Sequence, residues 1–254
     1  MRSSSIVKAR FKACFKAFLI AAALAASASP LFAQSGSSQM TPQSQQTQMN
    51  EVAAAAQRDF AQFVQHNVQT RSGTLPIGFP LDVADVQDLK DARITFGFPI
   101  YSIDPKDIVA GRSDFSAMAK PTGTWRFFVS LNDRPIGLAT VERVDGRWAI
   151  VAYGAAVLSK DVDALMRNYG NPDRSNLRFI RVYQAQSDFL EVASTNGGNA
   201  RFAPLQSARE SLLLRQLTNN AKASEGASSS GLLDAGDFAE PLRAAVKANM
   251  AVER

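Results

Sequence analysis

The stretch Trp125–Gly154, WRFFVSLNDRPIGLATVERVDGRWAIVAYG, carries the strongest fold information in this 254-residue chain. Trp125, Phe127 and Val129 lie at every second position of the first run, and this spacing is typical of a strand with one buried face. The segment NDRP predicts a turn after that run, and the Asp145-Gly146 pair predicts a tight hairpin before the third run. The stretch therefore predicts an antiparallel three-stranded meander.

The segments before this meander predict a helix and one more strand. The segment EVAAAAQRDFAQFVQHNV predicts a helix that packs on the rest of the domain, whereas ARITFGFPIYSI predicts a strand. Pro99 in that strand indicates an edge position or a bend, because proline cannot donate a ladder hydrogen bond. The apolar residues at helical spacing in the first segment are Val52, Ala56, Phe60, Phe63, Val64 and Val68.

The segments after the meander repeat the same kinds of element. SKDVDALMRNYG predicts a helix that is capped by Ser159 and ends at Gly170. NLRFIRVYQ, SDFLEVAS and RFAPL predict three further strands, and SARESLLLRQL predicts a helix after them.

Together these elements predict an α+β fold in which antiparallel meanders pack against helices on one side of the sheet. Trp125 and Trp148 are expected in its core, although an exposed aromatic binding surface is the alternative. In outline the arrangement resembles cystatin-like and PepSY-like domains over about residues 90 to 217. That resemblance rests on no signature motif and assigns no residue; it implies binding or inhibition more than catalysis.

A faint internal echo accompanies the two groups of strands. Arg126 and Arg178, Leu138 and Leu190, and Gly146 and Gly198 are each separated by 52 positions. The echo suggests two related units of meander plus helix, or two units that share patterning without common descent.

The N-terminus predicts export. The first 33 residues combine five basic residues, the apolar run AFLIAAALAA and small residues, as a signal peptide does, with cleavage expected after Ala28 or Ala33. Taking those five from the 28 Lys and Arg residues of the chain leaves 23, which equals the 23 Asp and Glu residues. The exported chain would then be neutral, which argues against nucleic acid as a partner, and no membrane span is expected after the signal is removed.

Composition predicts the remaining domain boundaries. Residues 34–50 are expected to form a disordered Gln/Ser-rich tether, residues 51–217 the folded domain, and residues 218–231 a flexible linker before a helix-like tail at 232–254. Cys14, the only cysteine, lies inside the predicted signal peptide. The exported part should therefore contain no disulfide and no thiol nucleophile.

Catalytic motifs are scarce. His66 is the only histidine and is expected to be a solvated helix residue, so common zinc sites and Cys-His or Ser-His pairs are disfavoured. We therefore predict no catalytic residue, metal ligand or cofactor. Four aspartates at steps of three fan around a helix and do not converge, which predicts capping or solvation; they are Asp82, Asp85, Asp88 and Asp91.

Arginines on the predicted strands are the candidate binding residues. If Arg126 and Arg147 share an outward face, they could bind an anionic group such as a peptide carboxylate or an envelope phosphate, with Arg178 and Arg181 beside them. The alternative is a polar sheet face on which Glu142, Asp188 and Glu191 balance the arginines.

The leading functional prediction is an exported, non-catalytic module that binds a protein or a cell-envelope component. One alternative is a metal-independent periplasmic hydrolase that uses carboxylates, which would need two acids together in a concave pocket. The other is a structural component of an envelope or secretion assembly that docks through the helix from Phe238 to Val252.

Overall fold

The computed structural model describes residues 42–194, 197–213 and 231–252, which form an α+β fold around one seven-stranded sheet. The spatial order of the strands is β4-β3-β2-β1-β5-β6-β7, and every neighbouring pair is antiparallel except β1 and β5. The strands are β1 (Arg93–Ser102), β2 (Lys120–Leu131), β3 (Arg134–Val144), β4 (Arg147–Gly154), β5 (Leu177–Val182), β6 (Ser187–Val192) and β7 (Arg201–Pro204). The α-helices are α1 (Pro42–Thr70), α2 (Pro105–Val109), α3 (Phe115–Met118), α4 (Ala156–Tyr169), α5 (Gln206–Ser211) and α6 (Ala235–Val252), and 3-10 turns span Val86–Lys90 and Tyr183–Ala185.

The predicted meander is confirmed as β2, β3 and β4. Asn132 and Asp133 both have positive φ between β2 and β3, as do Asp145 and Gly146 between β3 and β4. Two successive residues with positive φ form a two-residue hairpin turn whose twist matches that of the flanking strands.

Helices cover both faces of the sheet, so the prediction that they lie on one side is wrong. Successive side chains of a strand point to opposite faces. In β2, Phe127 packs with Val52 and Ala56 of α1, whereas its neighbour Phe128 packs with Val162 of α4. We call the side covered by α1 the front face and the side covered by α4 the back face.

The second half of the sheet follows the same division. Phe179 of β5 packs with the apolar residues of α4 on the back face, and the next residue, Ile180, packs on the front face with Phe238 and Leu242 of α6. Helices α1 and α6 therefore share the front face. The sheet is buried on both sides because strands in both halves carry apolar residues at odd and even positions.

Strand β1 occupies the centre of the sheet, so Pro99 does not mark an edge strand. It lies opposite Trp125, and the pairing of β1 with β2 shifts register between Pro99 and Tyr101. On its other side β1 pairs with β5 only at Ile100 and Tyr101. A proline is tolerated here because the ladder is irregular at this point.

The 52-residue echo is preserved only in part by the structure. Leu138 of β3 and Leu190 of β6 lie in corresponding strands and in the same group of buried apolar residues on the back face. Arg126 packs over the back-face ring of Phe179, whereas Arg178 contacts Ser116 and Tyr101 on the front face. The arginine pair is therefore not equivalent in space.

Helix α1 begins earlier than predicted. Residues 42–50, which were expected in a disordered tether, form its first turns. Proline at the first helical position and the good helix propensity of glutamine and methionine explain this start. The predicted apolar stripe is confirmed, since Val52, Ala56 and Phe60 are buried. The predicted signal peptide, residues 34–41 and most of the predicted linker lie outside the described residues.

Helix α4 also begins earlier than predicted, at Ala156. Ser159 is therefore not its cap: it is buried inside the first turn, where its hydroxyl donates to the carbonyl of Ala156 at 2.7 Å. Gly170 is the C-cap, as predicted.

The C-terminal helix α6 is part of the core and not a detached tail. Phe238, Leu242 and Val246 are at most 1% exposed and belong to the front-face cluster. Its apolar face is therefore already occupied by this chain. None of the helices among the described residues has the length and apolar character that crossing a membrane requires.

Both edges of the sheet are covered by the chain itself. At the β4 edge, Asp59 of α1 accepts a hydrogen bond from the backbone of Ile150 at 2.9 Å, and Arg58 donates to the carbonyl of Trp148 at 3.1 Å. At the β7 edge, Phe202 and Leu233 exchange two backbone hydrogen bonds. Such contacts block strand addition at these positions.

Replacement of Asp59 by alanine is expected to lower the free energy of unfolding by about 1–2 kcal/mol, because the Ile150 amide loses its acceptor. Urea denaturation measures this change. The control is Asp163→Ala, which removes an exposed ion pair with Arg167 on α4 and should cost about 0.5 kcal/mol or less. Equal losses in the two variants would contradict the role of Asp59 as an edge cap.

Candidate functional site

The four predicted binding arginines lie in three separate places. Arg126 of β2 and Arg181 of β5 lie on the back face, and they influence each other electrostatically. Arg178 lies on the front face, and Arg147 lies at the far end of β4 beside the hairpin. Strand β3 separates Arg126 from Arg147, so the predicted pair does not form.

Arg147 lines a groove of about 670 Å³ between α1 and the β3–β4 hairpin. Arg143 in the same groove stacks over the ring of Trp148 at 4.9 Å. The charges of the groove are balanced, because the described residues of its lining include three arginines (Arg58, Arg143, Arg147) and three carboxylates (Glu51, Asp59, Asp145).

Trp125 and Trp148 are less than a tenth exposed, which confirms the predicted core positions.

Arg178 is fully engaged within the protein. It donates to Oε1 of Glu191 at 2.6 Å and to the carbonyl of Ser116 at 3.0 Å, and it lies 5.4 Å from the centre of the Tyr101 ring. Glu191 was one of the acids expected to balance the arginines, and here that interpretation is confirmed.

Arg126 has no such partner. Its Nε and Nη1 atoms are buried and make no hydrogen bond within the described residues. Its guanidinium lies 5.7 Å from the centre of the Phe179 ring. Burial, followed by the nearby charge of Arg181, lowers the pKa of Arg126 below its ordinary value. Arginine nevertheless stays protonated in proteins, so a charged group is held here with unused donors.

Arg181 shares one carboxylate with Arg126. Its Nη1 atom is 3.6 Å from Oδ1 of Asp188, which is too far for a hydrogen bond, and its guanidinium lies 5.5 Å from the Tyr183 ring centre. Asp188 also stands close enough to Arg126 to interact with its charge. We call Arg126, Arg181 and Asp188 the back-face cluster.

Asp188 is held by its neighbours on α5. Its backbone N–H donates to Oγ of Ser207 at 3.0 Å, and the Ser207 hydroxyl donates to Oδ2 of Asp188 at 2.9 Å. Burial raises the pKa of Asp188, although the charge of Arg181 and the Ser207 hydroxyl oppose that shift. On α4, Asp161 accepts from the N–H of Gln206 at 2.6 Å and fixes the start of α5 beside the cluster.

The back-face cluster therefore has an excess of positive charge, with two guanidinium groups against one buried carboxylate. Glu142, the third acid expected to balance the arginines, accepts a hydrogen bond from Thr124 at 3.1 Å instead. The alternation of β2 and β5 is the sequence signal that could have paired Arg126 with Arg181. It is usable only once the two strands are known to flank β1.

Sequence reasoning missed a cleft of about 660 Å³ on the front face, near the ends of β6 and β7. We call it the front cleft. The starts of α3 and α6 form two of its walls, and Glu191 is part of its lining. The three segments that form it are spread over more than a hundred positions of the chain, from Ser113 to Gly236, so no local pattern indicates it.

The acidic side chains are divided between the two faces of the sheet. Burial raises the pKa of Asp188 on the back face, and the nearby charge of Asp161 on α4 acts in the same direction. Asp161 is itself held by the N–H of Gln206 and by Arg209. The acids of the front cleft, Asp114, Glu191 and Asp234, lie across the sheet from Asp188.

The remaining predicted polar residues have structural roles. His66 is exposed on α1. Asp82 pairs with Lys160 at 2.6 Å, and Asp85 caps the 3-10 turn by accepting from Gln87 at 2.7 Å. Within residues 42–194, 197–213 and 231–252, no three His, Cys, Asp or Glu side chains come together as a metal site.

Comparisons of this chain with models of known protein families, with curated proteins and with solved structures gave no match.

Proposed function

We propose that this protein is an exported, non-catalytic binding module that holds an anionic group of a protein or cell-envelope partner at Arg126 and Arg181. The observation that carries the proposal is the guanidinium of Arg126, whose Nε and Nη1 atoms are buried without partners. Export rests on the signal peptide expected over residues 1–33.

The free energy of the unliganded site favours such a ligand. A buried donor without a partner costs about 1–3 kcal/mol, and more when the group is charged. A carboxylate or phosphate would first meet Arg181, whose side chain is 29% exposed. Once the side chains over Arg126 move aside, it would accept the unused hydrogen bonds of Arg126 and offset the repulsion between the two arginines. Asp188 makes no hydrogen bond to either arginine in this structure: its Oδ2 accepts from Ser207, and its Oδ1 has no hydrogen-bond partner within the described residues.

The surroundings of the cluster suit binding more than turnover. Asp188 is fixed by Ser207 and lies 3.6 Å from Nη1 of Arg181, so it balances part of the positive charge without a hydrogen bond to either arginine. In outline the arrangement of helices on a sheet also resembles cystatin-like and PepSY-like domains, which often bind or inhibit. The ligand chemistry is common to two sources, a peptide C-terminal carboxylate and an envelope phosphate.

The test compares Arg126→Met with Arg147→Met, which removes the same charge from the balanced groove at the β3–β4 hairpin. The probes are N-acetyl-Ala-Ala with a free carboxylate and glycerol phosphate, titrated calorimetrically into the purified protein. Arg126→Met should weaken binding of the preferred probe at least tenfold, because a charge-assisted hydrogen bond contributes about 1.5–3 kcal/mol. Arg147→Met should bind as the unmodified protein does.

Stability provides a second readout. Arg126→Met should raise the free energy of unfolding by about 1 kcal/mol, since it removes a buried charge that has no partner. An arginine with a purely structural role would give the opposite sign. The proposal is wrong if neither probe binds the unmodified protein, or if both methionine variants weaken binding equally.

A further inference from the structure

The front cleft is acidic. The described residues of its lining include three carboxylates, Asp114, Glu191 and Asp234, and no lysine or arginine is among them. Two of these acids have tasks within the fold: Asp114 caps α3 by accepting from the N–H of Ala117 at 3.0 Å, and Asp234 lies 3.4 Å from Nε of Arg201.

Glu191 is the unusual member of the cleft. Its side chain is only 3% exposed, and its Oε1 atom is occupied by Arg178 at 2.6 Å. Its Oε2 atom is buried and has no hydrogen-bond partner within the described residues. A buried carboxylate oxygen normally accepts at least one hydrogen bond, so this one has an unmet capacity for a donor.

An anion is not the expected occupant, although helix α6 begins at the cleft. Asp237 in the first turn of α6 already places a carboxylate there, and its Oδ2 accepts from the N–H of Asp234 at 2.8 Å. The favourable charge at this helix N-terminus is therefore supplied by the protein itself.

The apolar part of the lining suits an aliphatic stem. Phe115 and Phe202 meet edge to face with their ring centres 6.2 Å apart, and both are nearly buried. Ala193, Ala200 and Ala235 add small apolar side chains. A lysine side chain combines such a stem with an ammonium group that has three donors and no acceptor.

We propose that the front cleft is a binding site for a primary ammonium group on an aliphatic chain, which donates to Oε2 of Glu191. The ammonium comes either from a lysine side chain of a peptide or from a free alkylamine. This site is distinct from the back-face cluster, because Glu191 and Asp188 lie on opposite faces of the sheet, and it does not depend on the anion-binding proposal.

The test titrates three probes into the purified protein and follows binding by NMR chemical shifts. The probes are n-butylamine, the blocked tripeptide Ala-Lys-Ala and the blocked tripeptide Ala-Nle-Ala, which keeps the stem but lacks the charge. Saturable binding of Ala-Lys-Ala well above that of n-butylamine identifies a peptide source, and comparable binding identifies a free amine. In either case Ala-Nle-Ala should bind at least tenfold more weakly than Ala-Lys-Ala.

Variants locate the site. Glu191→Gln keeps the shape of the side chain and should weaken binding of the ammonium probe at least tenfold. The matched control Glu142→Gln changes a strand glutamate on the back face and should leave binding unchanged. If Glu191→Gln does not fold because Arg178 loses its counter-charge, the double variant Asp114→Asn and Asp234→Asn should still weaken binding about threefold or more.

Three results would overturn the proposal. They are no saturable binding of either ammonium probe, equal binding of Ala-Nle-Ala, and a Glu191→Gln protein that is folded and binds normally. Loss of phosphate or carboxylate binding in Arg126→Met has no bearing on these readouts, so failure of one proposal is distinguishable from failure of the other.

Discussion

Replacement of Phe238 by alanine is expected to lower the free energy of unfolding by about 4 kcal/mol. Phe238 lies on α6, is only 1% exposed, and packs among three other rings of the front-face cluster. The ring centres of Phe189, Phe115 and Phe202 are 4.6, 5.1 and 5.4 Å from its own. Alanine would leave a cavity lined by rings that belong to three different elements and cannot all close in together.

Urea denaturation of Phe238→Ala measures this loss, with Lys247→Ala on the exposed side of α6 as the control. The control keeps good helix propensity and should change stability by about 0.5 kcal/mol or less. Near-normal stability of Phe238→Ala would mean that α6 is a detachable element. It would then favour the hypothesis that this helix docks the protein into an envelope or secretion assembly, because its apolar face could leave the core.

Replacement of Gly97 by alanine is expected to cost about 3 kcal/mol, at the upper end of what overpacking a core costs. A Cβ atom at this position would lie 2.2 Å from Cε1 and 2.5 Å from Cδ1 of Phe127. That ring is only 2% exposed and is held between β1 and α1, so it has no free space to enter. Because Gly97 lies on the central strand, the strain falls on the pairing of β1 with β2.

A double-mutant cycle gives the decisive measurement. Phe127→Leu replaces the ring by a smaller side chain and so relieves the clash with a Cβ at position 97. The double variant Gly97→Ala and Phe127→Leu should therefore be more stable, by about 1 kcal/mol or more, than the sum of the two single losses predicts. Gly236→Ala is the steric control, since a Cβ there meets no atom within 4 Å. If Gly97→Ala is as well tolerated as Gly236→Ala, the close approach of β1 to Phe127 is wrong.

The accuracy of the sequence predictions follows how local their signals are. The meander was predictable because the Asp145-Gly146 turn and the period of two act between neighbouring residues. The apolar stripe of α1 was predictable for the same reason. The first turns of this helix were missed because the segment from Pro42 to Asn50 carries few apolar residues. In contrast, Pro99 was taken to mark an edge or a bend because proline is usually excluded from central strands. The edge is wrong, since β1 lies inside the sheet, and a register shift admits the proline there.

The candidate sites depended on information that is not local. Alternation shows that Arg126 and Phe128 share a face within β2, but it does not show which face of β5 continues that surface. The parallel pairing of β1 with β5 sets this relation, and it places Arg181 with Arg126 while it sends Arg178 to Glu191 on the other side. The front cleft likewise forms only when α3, the ends of β6 and β7, and the start of α6 come together.

By itself, then, the sequence determined the α+β class, the hairpins, the amphipathic helix α1 and the identity of the arginines worth testing. Only the tertiary structure decided the order of the strands, the helices on both faces, and which guanidinium is left without a partner. The physical reason is that turns and alternation act over a few residues, whereas burial and charge pairing depend on residues that are distant in the chain and meet only in the folded sheet.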